Sequence, residues 1–245
     1  SGNRNVEDEI NNNNNTIPLI SLNIQQIETK LYQGSAERVL SLEKKFDEYY
    51  FVDINRNALL SLRDKVSTLC DNNCHFISED VNEVLSVFAK KLTSKDVSLI
   101  LLDPFGMQVK WASIEQFKNK RVDIWILVPS GVIINRLLDK KGELKNITIL
   151  EDFFGMTEEE IKNEFYKEEQ TQTLFGEETT IKKIPDAIPK IANLYVKRLK
   201  DIWKYVTEKP LVLYNSKNVP IYHFIFASNN KVANKIATQI VGDNQ

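Results

Sequence analysis

Val97-Ser98-Leu99-Ile100-Leu101-Leu102-Asp103-Pro104-Phe105-Gly106 is the stretch on which the reading of this chain turns. Its first six residues form a short apolar run, and a proline and a glycine close it. That pattern predicts a strand over 97–102, buried on both faces, whose end delivers a carboxylate. Three neighbours repeat the theme. Tyr49-Tyr50-Phe51-Val52 ends at Asp53, His75-Phe76-Ile77-Ser78 runs towards Asp80, and 122–128 closes at Pro129-Ser130-Gly131. Helical lengths separate the four: 58–69, then Glu79-Asp80-Val81-Asn82 leading into a helix to about 91, then 113–118. Strands joined by helices rather than tight turns predict βαβ crossovers and a mostly parallel sheet in an α/β domain.

Outward from this centre the pattern changes. Before it, helices are expected over 17–27, opening at Pro18, and over 35–48, opening at Gly34-Ser35. The five consecutive Asn at 11–15 read as an exposed loop, because ordering them costs chain entropy and buries no apolar area. After it, residues 132–187 read as a helical insertion or lid within one domain spanning 1–245. A long helix follows over 188–205. The strands Leu211-Val212-Leu213-Tyr214 and 221–227 are joined by Asn215-Ser216-Lys217-Asn218, a hairpin signal that makes the end of the sheet antiparallel. A last helix is expected over 230–240.

Composition sets the boundaries. The chain is 42% hydrophobic and 27% charged, which fits a globular protein. No apolar run reaches membrane-spanning length, and the first residues carry no signal-peptide pattern, so a cytoplasmic protein is expected. The two cysteines, Cys70 and Cys74, read as reduced thiols. Metal ligation with His75 is the weaker alternative, and no metal site is expected. The net charge of −2 excludes indiscriminate coating of nucleic acid. The charge is uneven, however. Residues 110–145 carry eight Lys/Arg against four Asp/Glu, 182–209 carry eight against three, and 151–170 carry eight acids against two bases. These are solvated helix faces or, on the sharper reading, basic segments 110–145 and 182–209 flanking a cleft and contacting nucleic-acid phosphates.

In an open α/β sheet, ligands bind beyond the C-terminal ends of the strands. Two readings of Asp53 stand: an acceptor for ribose hydroxyls, or a cap on the 55–58 turn. Asp80 with Val81 faces an adenine ring or caps the following helix. Asp103, Pro104 and Phe105 form either a tight turn or a site in which the carboxylate and the Pro104 carbonyl hold an amine while the ring stacks on a base. His75 and His223 read as packed histidines rather than bases. The chain has no full Gly-rich phosphate loop, which argues against kinases and dehydrogenases. Clustered acids also leave a metal-dependent nuclease or hydrolase as a rival reading.

Five stretches carry a resemblance: IPLISLNI at 17–24, FDEYYFVDIN at 46–55, SLILLDPFG at 98–106, DIWILVPSG at 123–131 and YHFIFASNN at 222–230. In that order the chain resembles the three-Cys-motif partner proteins, relatives of S-adenosylmethionine-dependent methyltransferases. The resemblance implies a Rossmann-like, methyltransferase-type sheet whose first strand is missing here, with Ser1-Gly2-Asn3-Arg4 as the tail of the cofactor loop. It assigns S-adenosylmethionine as cofactor, with Gly2 at its approach, Asp53 at the ribose, and Asp80 and Val81 at the adenine. Asp103, Pro104 and Phe105 match the position that holds a target amine, such as one on a nucleic-acid base. The family's usual second proline is replaced, giving DPFG. The alternative implied is a catalytically inactive methyltransferase-like module binding a protein or nucleic-acid partner.

Overall fold

The computed structural model describes residues 34–243 except 71, 140, 141, 143, 145, 174 and 175. Gly2, the 11–15 segment and the helix expected over 17–27 lie outside the described residues. The chain divides into two compact units, Ser1–Glu79 and Asp80–Gln245.

The first unit contains α1 (Ser35–Leu40), β1 (Tyr49–Val52), α2 (Arg56–Lys65) and β2 (Cys74–Ile77). β1 and β2 pair in parallel, with Tyr49 opposite Cys74 and Val52 opposite Ile77. α2 starts at Arg56 because the Asn55 side chain accepts the amides of Asn57 and Ala58. α1 stops at Leu40, well short of the helix expected over 35–48. The Lys45 ammonium there takes the Leu40 carbonyl that a further helical amide would have claimed. Leu40, Tyr49 and Val66 form a small core, beside which Phe51 and Phe76 stack across the two strands at 5.3 Å.

Cys70 and Cys74 are joined in a disulfide with Cα atoms 5.9 Å apart, which overturns the expectation of reduced thiols. The turn between α2 and β2 brings the two within bridging distance. The bridge also removes both sulfurs from any metal set with His75. His75 lies instead against Glu48, Nε2 to Oε2 at 2.6 Å, with its ring stacked on Tyr50. Closing so short a loop stabilises by about 2 kcal/mol on the chain-entropy estimate. We therefore expect a phosphine reductant to accelerate amide exchange in β1 and β2 by on the order of 10-fold or more. The second unit, which holds no cysteine, should be unaffected. Unchanged exchange at Phe51 would show that the bridge contributes nothing.

The second unit is larger. In order it runs α3 (Val81–Lys91), β3 (Ser98–Leu102), α4 (Trp111–Glu115), β4 (Val122–Val128), a π-turn (Ser130–Ile134) and α5 (Asn135–Leu137). Then come α6 (Ile147–Phe154), α7 (Glu158–Phe165), β5 (Tyr166–Thr173), β6 (Gly176–Lys183) and α8 (Ala187–Leu199). β7 (Tyr205–Val206), β8 (Leu211–Tyr214), β9 (Pro220–Ser228) and α9 (Lys231–Gly242) complete it. The main sheet has the order β3-β4-β9-β7, with β8 also pairing β9. β3 and β4 are parallel, whereas β9 runs antiparallel to β4, β7 and β8. The four strands expected as one parallel set thus fall into two sheets, and β9 returns from its hairpin to lie beside β4.

Alternation decides which face is buried. Val122, Ile124, Ile126 and Val128 of β4 point into the core with Ile225 and Ala227 of β9, and with Ile191, Tyr195 and Leu199 of α8. Trp203 joins them, donating its indole N–H to the Val122 carbonyl at 2.7 Å. On the other face Trp125 stacks on Phe224 at 4.4 Å. Leu99 and Leu101 are each 49% exposed there, against the expectation of burial on both faces. β3 is the end strand of its sheet, and only its Ile100 and Leu102 side meets the core.

Within 132–187, the segment 166–183 is not helical. β5 and β6 pair antiparallel from Tyr166 opposite Lys183 to Thr173 opposite Gly176. Threonines and the lack of a 3.6-residue apolar period favour strands there. Among the described residues no helix is long and apolar enough to cross a membrane.

Candidate functional site

The strand ends named from the sequence are divided between the units. Asp53 belongs to the first. Its Oδ1 accepts the Asn55 amide at 2.8 Å, so one carboxylate oxygen is engaged in the turn that precedes α2. Asp80, Val81, Asp103, Pro104, Phe105, Pro129 and Ser130 belong to the second.

Asp80 is the N-cap of α3. Its Oδ1 accepts the Asn82 amide at 2.8 Å and the Asn82 side-chain N–H at 3.0 Å. These two bonds, with a weaker contribution from Lys110, hold the carboxyl below the usual aspartate range. Asp80 therefore stays ionised across the neutral range. It borders an open cleft of about 560 Å³ whose wall includes Asn82, Glu83, Ser86, Val87 and Lys110. Lys110 is itself paired with Asp152 at 2.9 Å. Val81 is half-buried and packs against the core, not in the cleft wall.

Asn82 organises this region and was not legible as a functional residue. Its side-chain N–H also donates to the Gln108 carbonyl at 2.9 Å. Its Oδ1 accepts the Lys110 amide at 2.8 Å and the Ser113 hydroxyl at 2.9 Å. One amide side chain thus ties the start of α3 to the segment leading into α4. A polar residue in the first turn after a cap is the only local sign of it.

Asp103 follows the last residue of β3, and its carboxylate has no hydrogen bond or ion pair among the described residues. Phe105, two residues on, is 86% exposed, while Pro104 between them is half-buried. Gly106 donates its amide to Gln108 Oε1 at 2.7 Å, which pins the loop from behind. Its φ is not positive, and a Cβ there would meet only ordinary contacts, the nearest at 3.5 Å. The turn therefore does not require glycine for its own geometry. A carboxylate without a partner among the described residues, two positions from a bare aromatic ring on a loop held by a side chain, offers an acceptor for an amino group and an apolar face for a planar group.

Much of the basic charge is spent internally. Lys183 Nζ reaches the Asn135 and Leu138 carbonyls and Asn135 Oδ1. Arg198 donates to the Phe154 and Gly155 carbonyls and lies over the Trp111 ring. Lys190 and Lys197 both approach Glu164. Lys118, Arg136, Lys200 and Lys209 have no such contact among the described residues. No group of three or more His, Cys, Asp or Glu suited to a metal ion occurs among them either.

Compared with protein-family models, curated proteins and solved structures, the chain matches none. The resemblance to the three-Cys-motif partner proteins is not upheld. The chain has two cysteines, not three, and they are bonded to each other. The functional reading therefore rests on the geometry of the 103–106 loop and the Asp80 cleft alone.

Proposed function

We propose that the protein is a methyltransferase-like enzyme that uses S-adenosylmethionine to methylate an amino group, with an exocyclic amine of a nucleic-acid base as acceptor. The observation that carries this is an exposed Asp103 without a partner among the described residues, followed two positions on by the 86% exposed Phe105, just beyond the C-terminal end of β3. Carboxylate and ring together suit a flat heterocycle bearing an N–H donor.

The cofactor, when bound, supplies an electrophilic methyl group on a sulfonium centre. The cleft at α3 fits its adenine side: the Asp80 carboxylate can accept from an exocyclic amine, and Val87, half exposed, offers apolar surface to the ring. Asp103 orients the attacking nitrogen by accepting one of its hydrogens, and is the base that takes the proton released when nitrogen gains carbon. Phe105 covers the base and keeps water from it. Lys118, Lys200 and Lys209 are available for phosphates.

One observation favours a second reading, a binding module without transfer. Asp53 commits an oxygen to the Asn55 amide ahead of α2, and Asp80 commits one to capping α3. Calorimetry with S-adenosylmethionine separates the two. Saturable heat, reduced when Asp80 is changed to Ala, supports the enzyme. No heat at millimolar cofactor leaves the module.

A further inference from the structure

Two polar side chains meet inside the core of the second unit. Ser130 is fully buried and His223 is 6% exposed, and Oγ lies 2.5 Å from Nδ1. With Ser130 0% exposed, a nucleophilic role does not fit this arrangement. Each group instead relieves the other of a lost hydrogen bond to water.

Their positions give the pair a further role. His223 lies on β9 directly opposite Val128, the last residue of β4. Ser130 is the first residue of the π-turn that follows. The turn lies so close to β9 that a Cβ on Gly131 would stand 2.1 Å from the Pro220 carbonyl oxygen. Three residues after Ser130, Ile133 reaches the other way: its Cδ1 would stand 3.7 Å from a Cβ on Gly106. One hydrogen bond and two close approaches therefore place β9, the π-turn and Gly106 in succession.

We infer that Ser130 and His223 are positioning residues, a buried latch that sets the π-turn on which the Asp103-Pro104-Phe105-Gly106 loop rests. Its value for catalysis rests on the reading of that loop as the acceptor site; the mechanical claim does not. The latch also has a pH dependence. The register partners of His223 are Val128 on β4 and Val212 on β8, and neither titrates. Burial alone pushes the imidazole below its usual range, with no contribution from a neighbouring charge. The folded state thus prefers the neutral ring. Its contribution is intact above the ordinary imidazole pKa and is lost as pH falls through the lower folded value.

The test is amide hydrogen exchange by NMR on the whole protein without ligand, expressed as protection factors, at Gly106 and at Ile225 in the core of β9. In Ser130→Ala, Gly106 should lose about 10-fold in protection while Ile225 keeps its own. Ser130→Thr, which retains a hydroxyl, should restore it. Lowering the pH through the depressed folded pKa of His223 should reproduce the loss in the wild type. It should not do so in His223→Asn, whose side-chain amide replaces Nδ1 without titrating. If Gly106 and Ile225 fall together, the pair serves overall stability only and the latch is wrong. Unchanged Gly106 protection in Ser130→Ala overturns it equally. Should Ser130→Ala fail to fold, Ser130→Cys, which keeps the side-chain length but is a weaker hydrogen-bond partner, takes its place, and Gly106 protection at constant Ile225 protection decides. Because no cofactor is used, a failed latch and a failed methyltransferase reading give separate results.

Discussion

Replacing Asp103 by Ala should lower methyl transfer to an amine acceptor by on the order of 10²–10³-fold while leaving the fold intact, because a group that orients and deprotonates the nucleophile is removed. The structural half of this expectation follows from what Asp103 lacks. Its carboxylate has no partner among the described residues, so its loss leaves no buried group unsatisfied. Stability should change by no more than about 0.5 kcal/mol. Cofactor heat should persist, since Asp80 and its cleft lie at the start of α3 rather than on this loop. Phe105→Ala should behave differently. With 86% of its surface exposed, the ring adds little to the core. Loss of a stacking platform worth about 1–3 kcal/mol should raise KM for the acceptor by roughly 10- to 100-fold, with a smaller effect on kcat. The pair of variants thus separates orientation from base binding. Normal turnover by Asp103→Ala would remove the carboxylate from the mechanism and, with it, the main support for an amine acceptor.

How much of this was legible in the sequence depends on whether the deciding contact is local. β3 and β4 show in their apolar runs, and α3 shows in the Asp80 cap. The β8–β9 hairpin shows in Asn215-Ser216-Lys217-Asn218. All four signals lie within a few residues of what they determine. The half-exposed Leu99 and Leu101 do not show, because burial of a strand's second face depends on what pairs beyond its edge. The β5–β6 hairpin is hidden for a different reason. Apart from Tyr166, Gly176 and Ile181 its strands are Lys, Glu, Gln and Thr, with no apolar alternation to mark a buried side. The disulfide was misread because a four-residue spacing is neutral until the turn between α2 and β2 sets the distance. Among the proposed site residues, Asp103 and Phe105 were named from their strand end. Gln108, whose side chain accepts the Gly106 amide, and Asn82, which ties the start of α3 to the 108–113 segment, were not. Ser130 and His223 lie 93 positions apart and meet only through the β4–β9 register.

Trp203→Ala should be the most damaging of the core substitutions considered. The indole is 1% exposed and sits just beyond α8, where the chain turns towards β7. Removing a buried aromatic of that size costs about 3–5 kcal/mol through lost transfer energy and the cavity left behind. A second loss compounds the first. The Val122 carbonyl, on a residue only 1% exposed, would lose its 2.7 Å donor at the point where β4 begins. For a unit of this size the melting temperature should drop by roughly 10 °C. Trp203→Phe separates the two losses. It refills most of the cavity but leaves the carbonyl unpaired, so it should cost about 1–3 kcal/mol. If Phe proved as damaging as Ala, the hydrogen bond to Val122 would matter more than the packing. A melting point within about 3 °C of wild type for Trp203→Ala would be incompatible with the indole's place in the core. Since β4 ends at the π-turn behind the 103–106 loop, loosening its first residue would also test how rigidly that strand carries the proposed site.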